Sequence, residues 1–180
     1  MSLAGVNCED LIGKNVMSIA AMTVDYLRKH KLVLTTAESC TAGKIVTLLS
    51  EIEGSGELIE SGYVVYSPEA KQRLLRVNPL TIETFNLTSC EVAREMALGA
   101  LYDSTANVAV ATTGILGPED VDGIPAGTVC FAWAFQFEQG RRLFSHKHRF
   151  YDTRSQVQLQ AAEYALKHLP DFHRRALAGE

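Results

Sequence analysis

The sequence predicts a three-layer α/β/α fold: one domain spanning residues 1–180, in which helices cover both faces of a mixed, partly parallel sheet. Three observations predict it. Short β-branched apolar runs alternate with helical repeats through the first half, the pattern of parallel strands joined by helices. Two adjacent strand-like runs separated by a turn follow in the second half, which adds an antiparallel pair. The chain has 180 residues, 47% of them hydrophobic, enough to bury one sizeable core.

Taken in order, residues from about Cys8 to His30 carry Ile12, Val16, Ile19, Thr23 and Leu27 at helical spacing, giving a long amphipathic helix. Leu32 to Thr36 reads as a buried strand, and Ile45, Val46, Leu48 and Leu49 give a helix starting near Thr41. Ser61 to Tyr66 reads as another buried strand. Ser67-Pro68-Glu69 then supplies an N-cap, a proline at the first helical position and an acid in the first turn, with Lys71 about one turn in. Thr88-Ser89-Cys90-Glu91 is a capping-box pattern opening a helix through Leu101. Asn107 to Thr113 is a third buried strand that runs into Gly114. Gly127–Phe135 and Leu143–Phe150 form an antiparallel hairpin around Gln139-Gly140. Asp152 or Thr153 caps a last helix ending before Pro170, with 171–180 a tail or a continuation.

Composition narrows the function classes. A formal net charge of −4 gives no basic field for nucleic acid, and Arg141, Arg142, Lys147 and Arg149 alternate along a strand as a solvated face does. No apolar run reaches membrane-spanning length, and Met1-Ser2-Leu3 with Glu9-Asp10 nearby is unlike a basic secretory leader, so a cytoplasmic location is expected. Cys8, Cys40, Cys90 and Cys130 lack the spacing of a zinc site or a redox pair and read as reduced thiols. His146 and His148 share one face of a strand without a third ligand, and Glu119, Asp120 and Asp122 lack the spacing of a calcium loop. No metal and no cofactor are expected.

Ser39 lies in the turn where the first strand gives way to a helix, a place suited to a simple N-cap or to a nucleophile beside unpaired N–H groups. If the first two strands are parallel neighbours, Ser39, Tyr66 and Lys71 emerge at the same carboxyl edge of the sheet, where open α/β folds place ligands. That makes a candidate Ser–Lys dyad, with Tyr66 placed to relay a proton or to hold the lysine. A lysine must be desolvated or placed beside another cation to act as a base, and lowering its pKa from about 10.4 to about 7 takes roughly 4–5 kcal/mol. N–H groups at Thr41, Ala42 and Gly43 are candidate oxyanion donors. Cys40 is a rival nucleophile, but no histidine in a recognisable motif accompanies it.

Ala37-Glu38-Ser39-Cys40-Thr41-Ala42-Gly43, Val65-Tyr66-Ser67-Pro68-Glu69-Ala70-Lys71 and Thr112-Thr113-Gly114-Ile115-Leu116-Gly117-Pro118 closely resemble the signatures of the CinA C-terminal domain, or nicotinamide mononucleotide deamidase, family. The likeness runs from about Val33 to about Leu169. It implies a metal-free, homo-oligomeric amidohydrolase that converts the small-molecule nucleotide nicotinamide mononucleotide to nicotinate mononucleotide and ammonia. It also implies that Thr112, Thr113, Gly114 and Arg154 hold the nucleotide phosphate. The chain departs from the family's pattern at Ala42, where a glycine is usual, at Pro68, at Gln158 and in the loop Ile115 to Asp122. Those departures motivate one alternative, a catalytically weak or inactive member kept as a nucleotide-binding or protein-association module; an amidase for another carboxamide is a third reading.

Overall fold

The computed structural model describes residues 8–180, with side chains from Ile19 onward. Met1-Ser2-Leu3 and the side chains of Cys8, Glu9, Asp10, Ile12 and Val16 lie outside the described residues. The sheet has five strands in the order β2-β1-β3-β4-β5. β1 (Leu34–Glu38) pairs in parallel with β2 (Ile59–Val64) and with β3 (Val108–Gly114). β3 pairs antiparallel with β4 (Thr128–Phe137), which pairs antiparallel with β5 (Gly140–Arg149). The mixed sheet expected from the sequence is therefore present.

Side-chain alternation gives the sheet two unequal faces. Val108 and Val110 of β3 and Phe131, Trp133 and Phe135 of β4 point to one side, where α1 (Cys8–His30), α2 (Lys44–Ser50) and α6 (Arg154–Leu177) cover them. Trp133 is fully buried and donates its indole N–H to the Ala165 carbonyl of α6 at 2.9 Å. Ala109, Ala111, Cys130, Ala132 and Ala134 point to the other side, against α5 (Cys90–Tyr102) and the end of α3 (Pro68–Leu75). Small residues there let α5 approach closely, and Gly99 meets the Leu75 carbonyl where a Cβ would lie 1.9 Å from that oxygen.

Four expectations need correction. β2 is an edge strand whose residues alternate between half-buried and exposed, so its apolar content does not make it a buried strand. The last helix passes through Pro170 to Leu177, so the tail is a helix continuation. The N-cap of α5 is Ser89, whose hydroxyl accepts from the Val92 N–H, one residue beyond the capping-box position. A short helix that the sequence reading lacks, α4 (Pro79–Phe85), stands between α3 and α5; Asn78 caps it and it buries none of its residues. Without an apolar stripe it has no periodicity to detect.

Candidate active site

Ser39 follows β1 directly. Its backbone N–H still bonds the Thr112 carbonyl of β3 at 3.0 Å, so the nucleophile candidate is tied to the sheet and not to a free loop. The next helix begins later than the sequence suggests. Ala42 and Gly43 turn the chain through left-handed conformations (φ 56 and 84), and α2 starts at Lys44 with Gly43 as N-cap. Neither Ser39 nor Thr41 caps it. The cap is the Glu38 carboxylate, which accepts from the N–H groups of Ile45 (3.1 Å) and Val46 (3.2 Å) and from the hydroxyls of Thr41 (2.7 Å) and Thr36 (3.3 Å). Glu38 is completely buried, and these four donors are what makes a buried carboxylate tolerable.

Lys71 arrives from the neighbouring segment. Ser67 caps α3 by accepting from the Ala70 N–H, and Pro68 takes the first helical position, as its fixed φ and missing N–H favour. One turn on, the Lys71 side chain turns inward to the end of β1. It is 1% exposed, with Nζ 3.0 Å from Ser39 Oγ, 2.9 Å from the Val65 carbonyl and 2.7 Å from the Tyr66 carbonyl. Burial pulls its pKa down to about 8. The Cys40 thiol beside it is pushed up to about 12 by its own burial, so it is neutral near pH 7 and neither supplies a thiolate nor offsets the effect on Lys71.

These groups open into a cavity of about 250 Å³ lined by Ser39, Cys40, Tyr66, Lys71, Thr113, Gly114 and Arg154, with Asn86 to Thr88 and residues of the 115–122 loop on its other walls. A larger, more open groove of about 750 Å³ adjoins it, sharing Asn86, Leu87, Thr88 and Asp122, but holds neither Ser39 nor Lys71. The smaller cavity is where Ser39 and Lys71 converge. Among the described residues, no cluster of histidine, cysteine, aspartate and glutamate is arranged to hold a metal ion.

The family model for the CinA C-terminal domain matches residues 16–172. The chain belongs to the CinA C-terminal domain family. It is 40% identical over 135 residues to the nicotinamide-nucleotide amidohydrolase PncC of Enterobacter agglomerans, covering 74% of this chain and 80% of that protein. It is 36% identical over 155 residues to PncC of Escherichia coli, covering 86% and 92%. A CinA-like protein of Chlorobaculum tepidum is 37% identical over 155 residues; there the match covers 85% of this chain but 37% of the longer relative, so the chain spans little more than a third of it. The crystal structure of the competence/damage inducible protein CihA from Agrobacterium tumefaciens superposes with a TM-score of 0.82 at 34% identity, covering 96% of this chain and 99% of that one.

Of the residues singled out from the sequence, Ser39, Tyr66, Lys71, Thr113, Gly114 and Arg154 line the cavity. Thr41 and Thr112 do not. Both are fully buried and their hydroxyls bond each other at 2.7 Å, so they brace the turn from below. The Thr113 hydroxyl is also engaged, donating to the Leu87 carbonyl at 2.9 Å. Ala42 and Gly43 stand outside the lining, with Ala42 exposed. Gly114 has no room for a side chain, since a Cβ would sit 2.6 Å from the Thr128 carbonyl oxygen. Exposed Arg154 donates to the Gly117 carbonyl at 2.9 Å, joining α6 to the 115–122 loop. Tyr66 is 57% exposed and its hydroxyl bonds neither Ser39 nor Lys71; the residue holds the lysine through its carbonyl, so a relay through the ring oxygen is not set up.

At the departures from the family's pattern, Pro68 fits the start of α3, and Gln158 Nε2 donates to the Cys40 carbonyl at 3.3 Å. His146 and His148 are exposed and stack with Tyr164 of α6. Cys90 and Cys130, distant in sequence, meet between α5 and β4, where the neighbouring Cys130 thiol pulls the Cys90 thiol below its ordinary value. Sequence reading missed Glu38 and Asn86. An acid ending a strand was the available signal for the first, and an asparagine ahead of a capping box for the second.

Proposed function

We propose that this protein is an amidohydrolase that converts nicotinamide mononucleotide to nicotinate mononucleotide and ammonia, with Ser39 as nucleophile and Lys71 as the base that activates it. The observation that carries this reading is the geometry at Lys71. A neutral amine has two N–H bonds and one lone pair. The Val65 and Tyr66 carbonyls accept the two N–H bonds, which leaves the lone pair facing Ser39 Oγ 3.0 Å away. A pKa near 8 leaves part of the population neutral near pH 7, and a bound pyridinium, itself positive, lowers it further. The names of the two PncC relatives support the substrate class.

In this mechanism Lys71 takes the Ser39 proton as Oγ attacks the carboxamide carbon, and the oxyanion forms beside the Cys40 N–H, which donates to no backbone carbonyl among the described residues. The C–N bond then breaks as the Lys71 ammonium returns its proton to the leaving nitrogen, releasing ammonia and leaving an ester on Ser39. Water attacks the ester with Lys71 again accepting a proton, the C–O bond to Ser39 breaks, and the proton returns to Oγ. Tyr66 supplies the carbonyl that orients the lysine, Gly114 lets the β4 backbone at Thr128 close against the cavity wall, and Arg154 is the cation available to the phosphate.

The test is incubation with nicotinamide mononucleotide, following ammonia and nicotinate mononucleotide together. Stoichiometric release of both is expected, with Ser39→Ala losing turnover while melting like wild type. Absence of turnover in the wild type, or wild-type turnover in folded Ser39→Ala, refutes the assignment.

A further inference from the structure

Asn86 stands in the wall shared by the catalytic cavity and the larger groove outside it. Its backbone has φ 70 and ψ 162, a region that L side chains rarely adopt and glycine enters freely. The surrounding chain path needs only its backbone. The Asn86 N–H donates to the Ile82 carbonyl at 2.9 Å and closes α4, its carbonyl accepts from Ser89 Oγ at 2.9 Å, and the next carbonyl, of Leu87, accepts from Thr113 beside Gly114. A glycine would keep every one of these bonds without the strain.

The side chain is what distinguishes asparagine at this position. Oδ1 accepts from the Leu87 N–H at 2.6 Å, which fixes the amide plane. Nδ2 donates to no acceptor among the described residues, although the residue is half-buried and lines the cavity. A rigid, unspent donor on a strained residue in the wall of the cavity that holds Ser39 is an arrangement for reading a ligand.

We propose that Asn86 is a specificity-determining residue, whose Nδ2 donates a hydrogen bond to a hydroxyl oxygen on the sugar of the bound nucleotide. The inference rests on the function proposed above. The carboxamide belongs at Ser39 and the phosphate is matched by the Arg154 cation, so the uncharged hydroxyls are the groups that a neutral amide donor complements. Asn86 acts on binding and not on bond breaking.

Asn86→Gly and Asn86→Asp separate this role from a structural one. Glycine relieves the strain and deletes the donor; aspartate keeps the acceptor for the Leu87 N–H and tolerates the backbone, but cannot donate when ionised. Both should melt at or above the wild-type temperature, raise KM for nicotinamide mononucleotide about tenfold and leave kcat within about twofold. The same loss should persist with nicotinamide riboside, which lacks the phosphate. An unchanged KM in Asn86→Gly, a parallel fall of melting temperature and kcat, or a loss confined to the phosphorylated substrate overturns the proposal. Calorimetric titration of nicotinamide mononucleotide into Ser39→Ala with and without Asn86→Gly distinguishes the two levels: Asn86-dependent binding without wild-type turnover refutes the amidohydrolase alone, and Asn86-independent binding with turnover refutes the inference alone.

Discussion

Three acceptors surround Lys71 Nζ, and the same three serve both protonation states: the ammonium donates to all of them, whereas the neutral amine donates to the two carbonyls and accepts from Ser39. Proton transfer therefore needs no rotation of the side chain. Lys71→Arg keeps the charge but cannot release a proton, so kcat should fall by about 10²–10⁴-fold even where the protein melts cooperatively, and single-turnover kinetics will read it. The wild-type rate at saturating substrate should rise with pH through a value at or below about 8. Stability carries the opposite face of the same burial. With a pKa of about 8 folded and 10.5 unfolded, the unfolded chain binds more protons between those values, so wild type gains stability over Lys71→Met as pH rises from 8 to 10.5. The gain is about 3 kcal/mol. Urea denaturation at pH 7.5 and 10 measures it, and equal slopes with pH in the two proteins would refute it.

At the scale of the element, the strand-turn-helix around Ser39 depends on Glu38 more than on the serine's own neighbours. Its carboxylate joins the end of β1 to the start of α2 and, through Thr41 and Thr112, to β3. Glu38→Gln places an NH₂ group against donors that cannot reverse, the N–H of Ile45 or of Val46. We expect a loss of about 2–3 kcal/mol in chemical denaturation together with a lower kcat, because the turn that aims Ser39 loosens. Wild-type values for both would remove Glu38 from this role. The meeting of Ser39 and Lys71 was legible in the sequence because Ser67 and Pro68 fix where α3 begins and the apolar runs fix β1 and β3. Glu38 was illegible because an acid at a strand end is ordinarily solvated, and its burial depends on a turn in which Ala42 and Gly43 delay the helix to Lys44. Pro170 misled for a similar reason: packing of α6 on the sheet carries the helix past a residue that would stop an unsupported one.

Across the whole molecule, the large face of the sheet holds α6 and the small face lets α5 press close, and the site sits where the elements of both faces meet the carboxyl ends of β1 and β3. The division is written in the strands themselves, where β4 alternates Phe131, Trp133 and Phe135 with Cys130, Ala132 and Ala134. What the strands do not encode is the spacing of α3 from α5, which one glycine sets. A Cβ on Gly99 would lie 1.9 Å from the Leu75 carbonyl oxygen and 2.6 Å from its carbon, both backbone atoms that cannot rotate away, so α3 must move. Leu75 lies one turn beyond Lys71 on that helix, and the displacement is passed to the amine that faces Ser39. Gly99→Ala should therefore cost about 1–3 kcal/mol from overpacking and lower kcat by up to about 10²-fold, with KM little changed. Gly56→Ala is the matched control, since a Cβ there meets nothing within 4 Å. Thermal melts and steady-state kinetics on the two variants decide the matter: a Gly99→Ala protein that is destabilised yet turns over as fast as wild type would show that α3 yields without moving Lys71, and that the dyad is held by the Val65 and Tyr66 carbonyls alone.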